Sequence, residues 1–568
     1  MESKAEGKRR MALLVLLTAM MAVPAAALDS LWIGDVMTLD SQQPRAGAVA
    51  VVDGRIVAVG EPDVLLARAT ASTRIERFEG TLMPGFVDAH GHLWLTGLAS
   101  LFANLLPPPD GRVADLSELQ AALRSWVEGE TLEVDGGWIV GMGYDDAFLA
   151  EKRHPTRADL DAVSSTRPVL VVHQSWHLGA LNSVALARLG IDADTVDPEG
   201  GYYRRDAAGE PTGVLEEIAL HEVAGAVLGS LDAALAVEIV HRGVETYVAH
   251  GFTTAQDGAT SAPMLAALRA AAGTGDGLAI DVIAYPQIDV MMGDDPPTVP
   301  SNYVGGLRLG GTKLLLDGSP QGRTAWLTAP YHVVPEGRDE DYRGYPIAPD
   351  ARVATQVDRA FAEGWPILAH ANGDAAADQL IAAVRAATER YGSGDRRTVM
   401  IHAQTVREEQ LDAMAELGIV PSFFSAHTFY WGDWHRDSVL GPVRAERISP
   451  TRSALERGMR FTVHHDAPVI APDPLRVLHA TVNRRTRSGE ILGPEQRVDV
   501  QTAILATTKW AAWQAFEAEE KGTIEAGKLA DFTLLSGDPL ATPSEQLLEL
   551  HVVGTVKRGR WVFRGDAR

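Results

Sequence analysis

The chain of 568 residues contains no cysteine. Disulfides, thiolate metal sites and cysteine nucleophiles are therefore excluded, and any metal must be held by His, Asp, Glu or a modified Lys. Positive charge is also scarce: 51 Lys and Arg against 75 Asp and Glu leave a formal net charge of -24. No basic stripe is available to displace counterions from a phosphate backbone, so nucleic acid is not an expected partner. Long apolar runs are missing as well. Beyond the N-terminus no segment reaches about 18 uninterrupted apolar residues, so no stable membrane span is expected. With 46% hydrophobic and 22% charged residues, the composition is that of a soluble globular protein.

The first residues read as an address. Lys4, Lys8, Arg9 and Arg10 precede an apolar stretch from Met11 to Val23, and Ala25, Ala26 and Ala27 offer a small-residue cleavage site. The expectation is a signal peptide over 1–27 and an exported protein, periplasmic or secreted.

Next, short strand patterns (LWIGDVMTLD, AVAVVDGRIVAVG) flank an Asp-Gly turn at Asp53-Gly54, and similar patterns close the chain around Lys557-Arg558-Gly559-Arg560. The two β-rich ends, 28–80 and 521–568, are expected to meet in one small β-sandwich domain. Between them, short apolar runs alternate with stretches of helical period such as Val353 to Glu363 and Glu408 to Leu417. Strands are expected at 81–90, 251–257, 279–285, 312–318, 366–370, 398–402, 418–424 and 460–466. Eight such units predict an α/β fold, a (β/α)8 TIM-type barrel over 81–520. The long gap after the first strand predicts an insertion over about 95–230, emerging at the catalytic end of that strand as a cap or pocket wall.

Chemistry-bearing residues fall at the ends of these runs. His90 and His92 sit two apart after a strand, so both imidazoles share one side and can chelate a cation; an isolated pair of this kind can also be coincidence. His370 closes PILAH, His402 closes VMIH and Asp466 closes FTVHHD. Lys313 lies in the mostly apolar TKLLLDG, where a free amine is costly; it either pairs with an acid such as Asp317 or is carboxylated into an anionic ligand. In a barrel these ends converge on one mouth. Other candidates are less specific. Tyr144 and Asp145, with Trp138, and His177, with His173 and Trp176, lie in the insertion and read as pocket wall or as packing. His427 and Trp431, with Tyr430, Asp433 and Trp434, follow the seventh strand, as a recognition loop for an apolar or aromatic substrate or as a hydrophobic plug. Arg323 suits a carboxylate clamp or a structural ion pair.

The stretches LMPGFVDAHGHL, GWIVGMGYDD, LNSVALARLGI with PEGGYYRRDAAGEPTGVLEE, KLLLDGSPQGRTA, HANGDAA, IHAQ, HHDAPV and GTIEAGKLADFTLL together resemble the amidohydrolase superfamily, in particular the YtcJ-like metal-dependent hydrolases of amidohydrolase family 3. The likeness spans nearly the whole chain after residue 27. It implies one or two divalent cations, zinc by default, with His90 and His92 on one, His370 and His402 on a second, and a carbamate on Lys313 between them. It also implies Asp466 as ligand and general base, and hydrolysis of an amide, formamide or cyclic amide in a small molecule by metal-activated water, with His402 or His464 near the developing oxyanion. Where relatives have Gly-Ser-Asp-Ala-Pro this chain has His464-His465-Asp466-Ala467-Pro468, and HANGD carries Asn372 in place of an apolar residue. Period 2 places His464, but not His465, on the side of Asp466, where it can touch substrate or metal. The same ligand set also serves an ester or lactone hydrolase or an isomerase, and a non-catalytic barrel scaffold is the reading of a different class. A homodimer is compatible with all of these.

Overall fold

A computed structural model describes residues 27–129, 136–228, 231–298, 302–335 and 337–565. The expected signal peptide, apart from Ala27, lies outside the described residues.

Both ends of the chain enter one seven-stranded sheet. Its order is Arg560–Arg564, Val552–Lys557, Phe532–Leu535, Arg74–Pro84, Ser30–Met37, Arg45–Val52 and Arg55–Gly60. Val52 pairs with Arg55 across the Asp-Gly turn, with Asp53 at φ 49° and Gly54 at φ 72°. Two successive left-handed residues match the right-handed twist of the flanking strands. Arg558 at φ 48° and Gly559 at φ 70° repeat the device between the paired Lys557 and Arg560. Strands from the two parts pair directly: Arg74–Pro84 runs parallel to Ser30–Met37 and antiparallel to Phe532–Leu535.

The strand expected over 81–90 is divided. Its first half is the end of Arg74–Pro84 in the terminal sheet, and only Phe86–Val87 pairs in parallel with Phe252–Thr260. Gly85 makes the passage between the sheets: a Cβ there would stand 2.3 Å from the Thr253 side chain.

Two further sheets are parallel throughout. One has the order Leu307–Leu309, Asp281–Pro286, Phe252–Thr260, Phe86–Val87; the other runs Thr312–Leu315, Ile367–Ala371, Val399–His402, Val420–Phe423, Thr462–Val463. Most of their residues are buried, as helix-covered parallel strands require. Thr312–Leu315 follows Leu307–Leu309 after two residues, and Lys313 forms a parallel bridge with Gln287 beyond Asp281–Pro286. At the other side Asp466 N–H donates to the His90 carbonyl and His92 N–H to that of Ala467, so the chain leaving the last strand lies against the chain leaving the first.

The helices follow from the sequence period. In Asp350–Glu363 the buried residues are Val353, Gln356, Val357, Ala360 and Phe361, one face at 3.6 residues per turn, and Gly364 at φ 69° ends it. Between Phe86–Val87 and Phe252–Thr260 the chain builds a separate six-stranded sheet, in the order Gly201–Arg205, Pro211–Glu217, Leu178–Leu181, Val169–His173, Ile139–Tyr144, Ala103–Asn104. Trp138, Val140, Leu170 and Leu181 from this segment join the main hydrophobic core.

Candidate active site

The C-terminal ends of the parallel strands carry the convergent polar set. His370 lies beside Ile401, and His402 beside Ala371 and Phe423, in the register of three adjacent strands. Lys313 stands one strand over, beside Leu368. His90 and His92 follow Phe86–Val87, and His464 and Asp466 follow Thr462–Val463.

Their side chains meet. Asp466 Oδ1 is 3.4 Å from His90 Nε2 and 3.2 Å from His92 Nε2, and Oδ2 is 4.0 Å from His402 Nδ1. His402 Nε2 is 3.0 Å from His370 Nδ1. Lys313 Nζ donates to His90 Nε2 over 2.9 Å. The alternative pairing of Lys313 with Asp317 is not formed, because Asp317 accepts the backbone N–H groups of Trp326, Asn372 and Gly373. His464 lies 5.3 Å from the His90 ring and 5.2 Å from that of His402, and neither of its nitrogens has a partner. His465 turns the other way: its Nε2 is 3.2 Å from Asp88 Oδ1 and its ring packs on Tyr247 and Phe252.

Supporting groups fix this arrangement. Gln256 Oε1 lies 2.8 Å from His90 Nδ1, and its amide donates to the Ala89 carbonyl. The Gln256 side chain thus holds the His90 ring with Nε2 facing the cluster. Asp88 accepts from the His90 and Gln256 backbone N–H groups. His402 at φ 73° and Asp466 at φ 56° are left-handed although neither is glycine; local strain of about 1–3 kcal/mol per residue is held by the surrounding contacts.

Electrostatics put these groups in the protonation states that metal ligation needs. Burial, then neighbouring Lys313 and histidines, holds His90 well below the ordinary imidazole value; burial, then neighbouring histidines and Lys313, does the same to His370 and His402. Burial takes His464 down to about 3 and Lys313 to about 7, the latter opposed by Asp466. Burial alone would raise the Asp466 carboxyl, but His92, His464 and Lys313 together hold it below its usual value. Neutral imidazoles, an ionised carboxylate and an amine near its neutral form share one buried space.

The residues fit a cation. One ligand atom each from His90, His402 and Asp466 lie within 4.8 Å of one another, and His402 Nδ1 and Asp466 Oδ1 are buried with no hydrogen-bond partner. Leaving such atoms unsatisfied costs about 1–3 kcal/mol each, more for a charged group, and a divalent ion of nitrogen and oxygen preference satisfies them.

A second buried group, Asp145, Asp146 and His173, has the same spread but is internally satisfied. Asp145 accepts from Trp431 Nε1 and the Ala147 N–H, and His173 Nε2 is 3.2 Å from Asp146. Both carboxylates offset the effect of burial on His173 and raise it to about 9.

The other expected residues divide between wall and packing. The segment expected as a loop after Val420–Phe423 is the helix His427–Trp434, and from it Trp431 reaches Asp145 in the insertion. His427 lies 4.6 Å from Phe424 and 4.5 Å from Trp431, with Nδ1 2.9 Å from His435 Nε2; Phe424 is 5.1 Å from His464. These rings make an apolar wall beside the cluster. Tyr144 belongs to the core of the insertion, its hydroxyl 3.1 Å from His154 Nδ1. Arg323 stacks over Trp434 and donates to Ser438, and among the described residues it forms no ion pair. His177 arrives from the insertion with its ring 5.0 Å from His370 and Nδ1 2.6 Å from Glu217 Oε2. Gln256 and Glu217 are not marked by any local sequence pattern, because each acts on a residue far from it in the chain.

The model of the amidohydrolase family matches residues 79–563. The chain is 29% identical over 543 residues to an N-substituted formamide deformylase of Arthrobacter pascens, covering 92% of this chain and 96% of that one. It is 28% identical over 550 residues to YtcJ of Bacillus subtilis (strain 168), covering 94% and 99%. Among solved structures, an uncharacterized metal-dependent hydrolase from Pyrococcus horikoshii OT3 superposes with a TM-score of 0.71 at 22% identity, covering 91% of this chain and 99% of that one, a likeness of fold.

Proposed function

The chain belongs to the amidohydrolase family of hydrolytic enzymes, and on that premise we propose that it hydrolyses the C–N bond of a small amide, formamide or cyclic amide at a divalent metal site. His90, His92, His370, His402 and Asp466 would hold one or two ions, zinc by default, with Lys313 contributing as a carbamate. The observation that carries this reading is the buried meeting of His90, His402 and Asp466 with ligand atoms left unpartnered. The extended likeness to a deformylase of N-substituted formamides favours the formamide class.

When bound, the cation supplies Lewis acidity, lowering the pKa of water and polarising the scissile carbonyl. The chain's own groups do the rest. Asp466 accepts the proton of the attacking water and returns it to the departing nitrogen, so an amide and water become a carboxylic acid and an amine. His464 is neutral and has both nitrogens free, so its N–H can donate to the carbonyl oxygen as negative charge develops there. His402 borders the same space at 5.2 Å from the His464 ring. Phe424, His427 and Trp431 provide an apolar face for an aromatic or aliphatic substituent on the nitrogen. Lys313, drawn towards its neutral amine by burial, is the nucleophile that carbon dioxide requires for carboxylation.

We also read the two parallel sheets as one (β/α)8 barrel, with Leu307–Leu309 and Thr312–Leu315 sharing a position. In this reading the terminal sheet folds as a sandwich, the segment 95–230 forms the cap, and the protein is exported with cleavage near Ala27.

The test is release of formate and amine from N-arylalkyl formamides by protein reconstituted with zinc and bicarbonate. Turnover that disappears with a chelator, returns with zinc and rises with bicarbonate supports the reading. Turnover indifferent to chelation contradicts it.

A further inference from the structure

The insertion delivers a carboxylate to the active site that the mechanism above does not use. Glu217 ends the strand Pro211–Glu217 and is fully buried. Its Oε2 is 2.6 Å from His177 Nδ1, and its backbone N–H donates to the His177 carbonyl. Its Oε1 is buried without any hydrogen-bond partner. Buried carboxylates normally have their acceptor sites filled, so an empty one asks for a donor from outside the chain.

Two features set the position of that oxygen. Glu217 is held at φ 49°, a left-handed conformation unusual for glutamate. Gly318 faces it without a side chain: a Cβ there would lie 2.1 Å from Glu217 Oε1. Gly318 is also where the catalytic cluster begins, because its carbonyl is 3.2 Å from His370 Nε2 and accepts from Asn372 Nδ2. Through Gly318 the unfilled oxygen lies on the His370 side of the site, and His177 reaches the same side with its ring 5.0 Å from that of His370.

We propose that Glu217 is a specificity residue whose Oε1 accepts the N–H of the scissile amide, with His177 as its positioning residue. This rests on the C–N hydrolase reading above and narrows it. The substrate is then a secondary amide or formamide, whose nitrogen keeps one hydrogen. An ester of the same shape presents an oxygen lone pair to the carboxylate and leaves it unpaired in a dry site, the situation in which enzymes reject an analogue most strongly. The cap therefore selects the bond as well as covering the site.

The test compares kcat/KM for an N-monosubstituted formamide and for the formate ester bearing the same substituent, in zinc-loaded wild type, Glu217→Ala and Gly318→Ala, with metal content measured in each. Glu217→Ala removes the acceptor, and Gly318→Ala pushes it aside while leaving it in the chain. Both are expected to lower the formamide-to-ester ratio by about a hundredfold, Glu217→Ala at unchanged metal content. If the ratio stays at the wild-type value while both rates fall together, Glu217 is structural and the proposal is overturned. Loss of metal in Glu217→Ala overturns it in favour of a ligand role. Wild type that cleaves neither compound defeats the C–N hydrolase reading itself, a result distinct from a preserved ratio.

Discussion

At the residue scale, the active site depends on buried groups held in one protonation state and one orientation. His90 illustrates this: its Nε2 faces Asp466 and Lys313 because Gln256 occupies Nδ1. Replacing the outer partner of a ligating histidine typically costs 10- to 100-fold in metal affinity. Gln256→Leu, which removes that partner at similar volume, is expected to weaken zinc binding by about this factor in a competition titration with a chromogenic chelator. Asp466→Asn is expected to lower turnover by about 10²- to 10⁴-fold, the usual contribution of a proton-transfer group, while bound zinc measured by mass spectrometry falls far less. Full activity in that variant removes Asp466 from the proton-transfer role. The positions of His370 and His402 were legible in the sequence because each closes a short apolar run, which places it at or next to a strand end. Gln256 and Glu217 were not legible: Gln256 lies 166 residues from His90, and Glu217 lies 40 residues from His177. A glutamine within a strand and a glutamate in a Glu-Glu pair look like ordinary polar positions until the chain is folded.

At the scale of elements, the terminal sheet and the parallel strands are joined by a buried ionic group. Asp281, at the start of Asp281–Pro286, lies 2.7 Å from Lys521 Nζ and 2.6 Å from Lys557 Nζ; Lys557 also binds Asp531 at 2.8 Å. Lys557 and Asp531 belong to the C-terminal part of the chain, so this group ties the two parts together. Burial alone would raise the Asp281 carboxyl, but Lys557 and Lys521 together hold it well below the ordinary aspartate range. The folded state therefore favours the ionised form. Its stabilisation is fully present above the unfolded aspartate pKa of about 3.9 and is lost as pH falls below it. Asp281→Asn leaves two buried lysines underpaired and is expected to cost about 3–5 kcal/mol in denaturant unfolding at neutral pH. The variant should also show a flatter decline in stability on acidification below about pH 4 than the wild type. An equal decline in both proteins assigns the acid sensitivity to other carboxylates. Nothing in the sequence pointed to this group, since isolated Asp and Lys residues carry no period. The two Asp-Gly and Arg-Gly turns were readable because their backbone geometry admits few residues. The division of the expected strand 81–90 at Gly85 was not readable, because the apolar run continues across the passage from one sheet to the other.

At the scale of the whole molecule, the insertion between Phe86–Val87 and Phe252–Thr260 contributes His177 and Glu217 to the neighbourhood of the cluster, and Asp145 to the indole of Trp431. It has its own sheet and its own small core. The long gap in the strand pattern announced this segment; its internal architecture had to come from the structure, because its strands are short and mix parallel and antiparallel pairing. All of this converges on a cation held by the strand ends. The direct test is a calorimetric titration of metal-free wild type and of the His402→Ala, Asp466→Ala double variant with zinc, with bound metal counted by mass spectrometry. Saturable, stoichiometric binding is expected in the wild type and none at that site in the variant. Stoichiometric zinc in the double variant, bound as tightly as in the wild type, would contradict it.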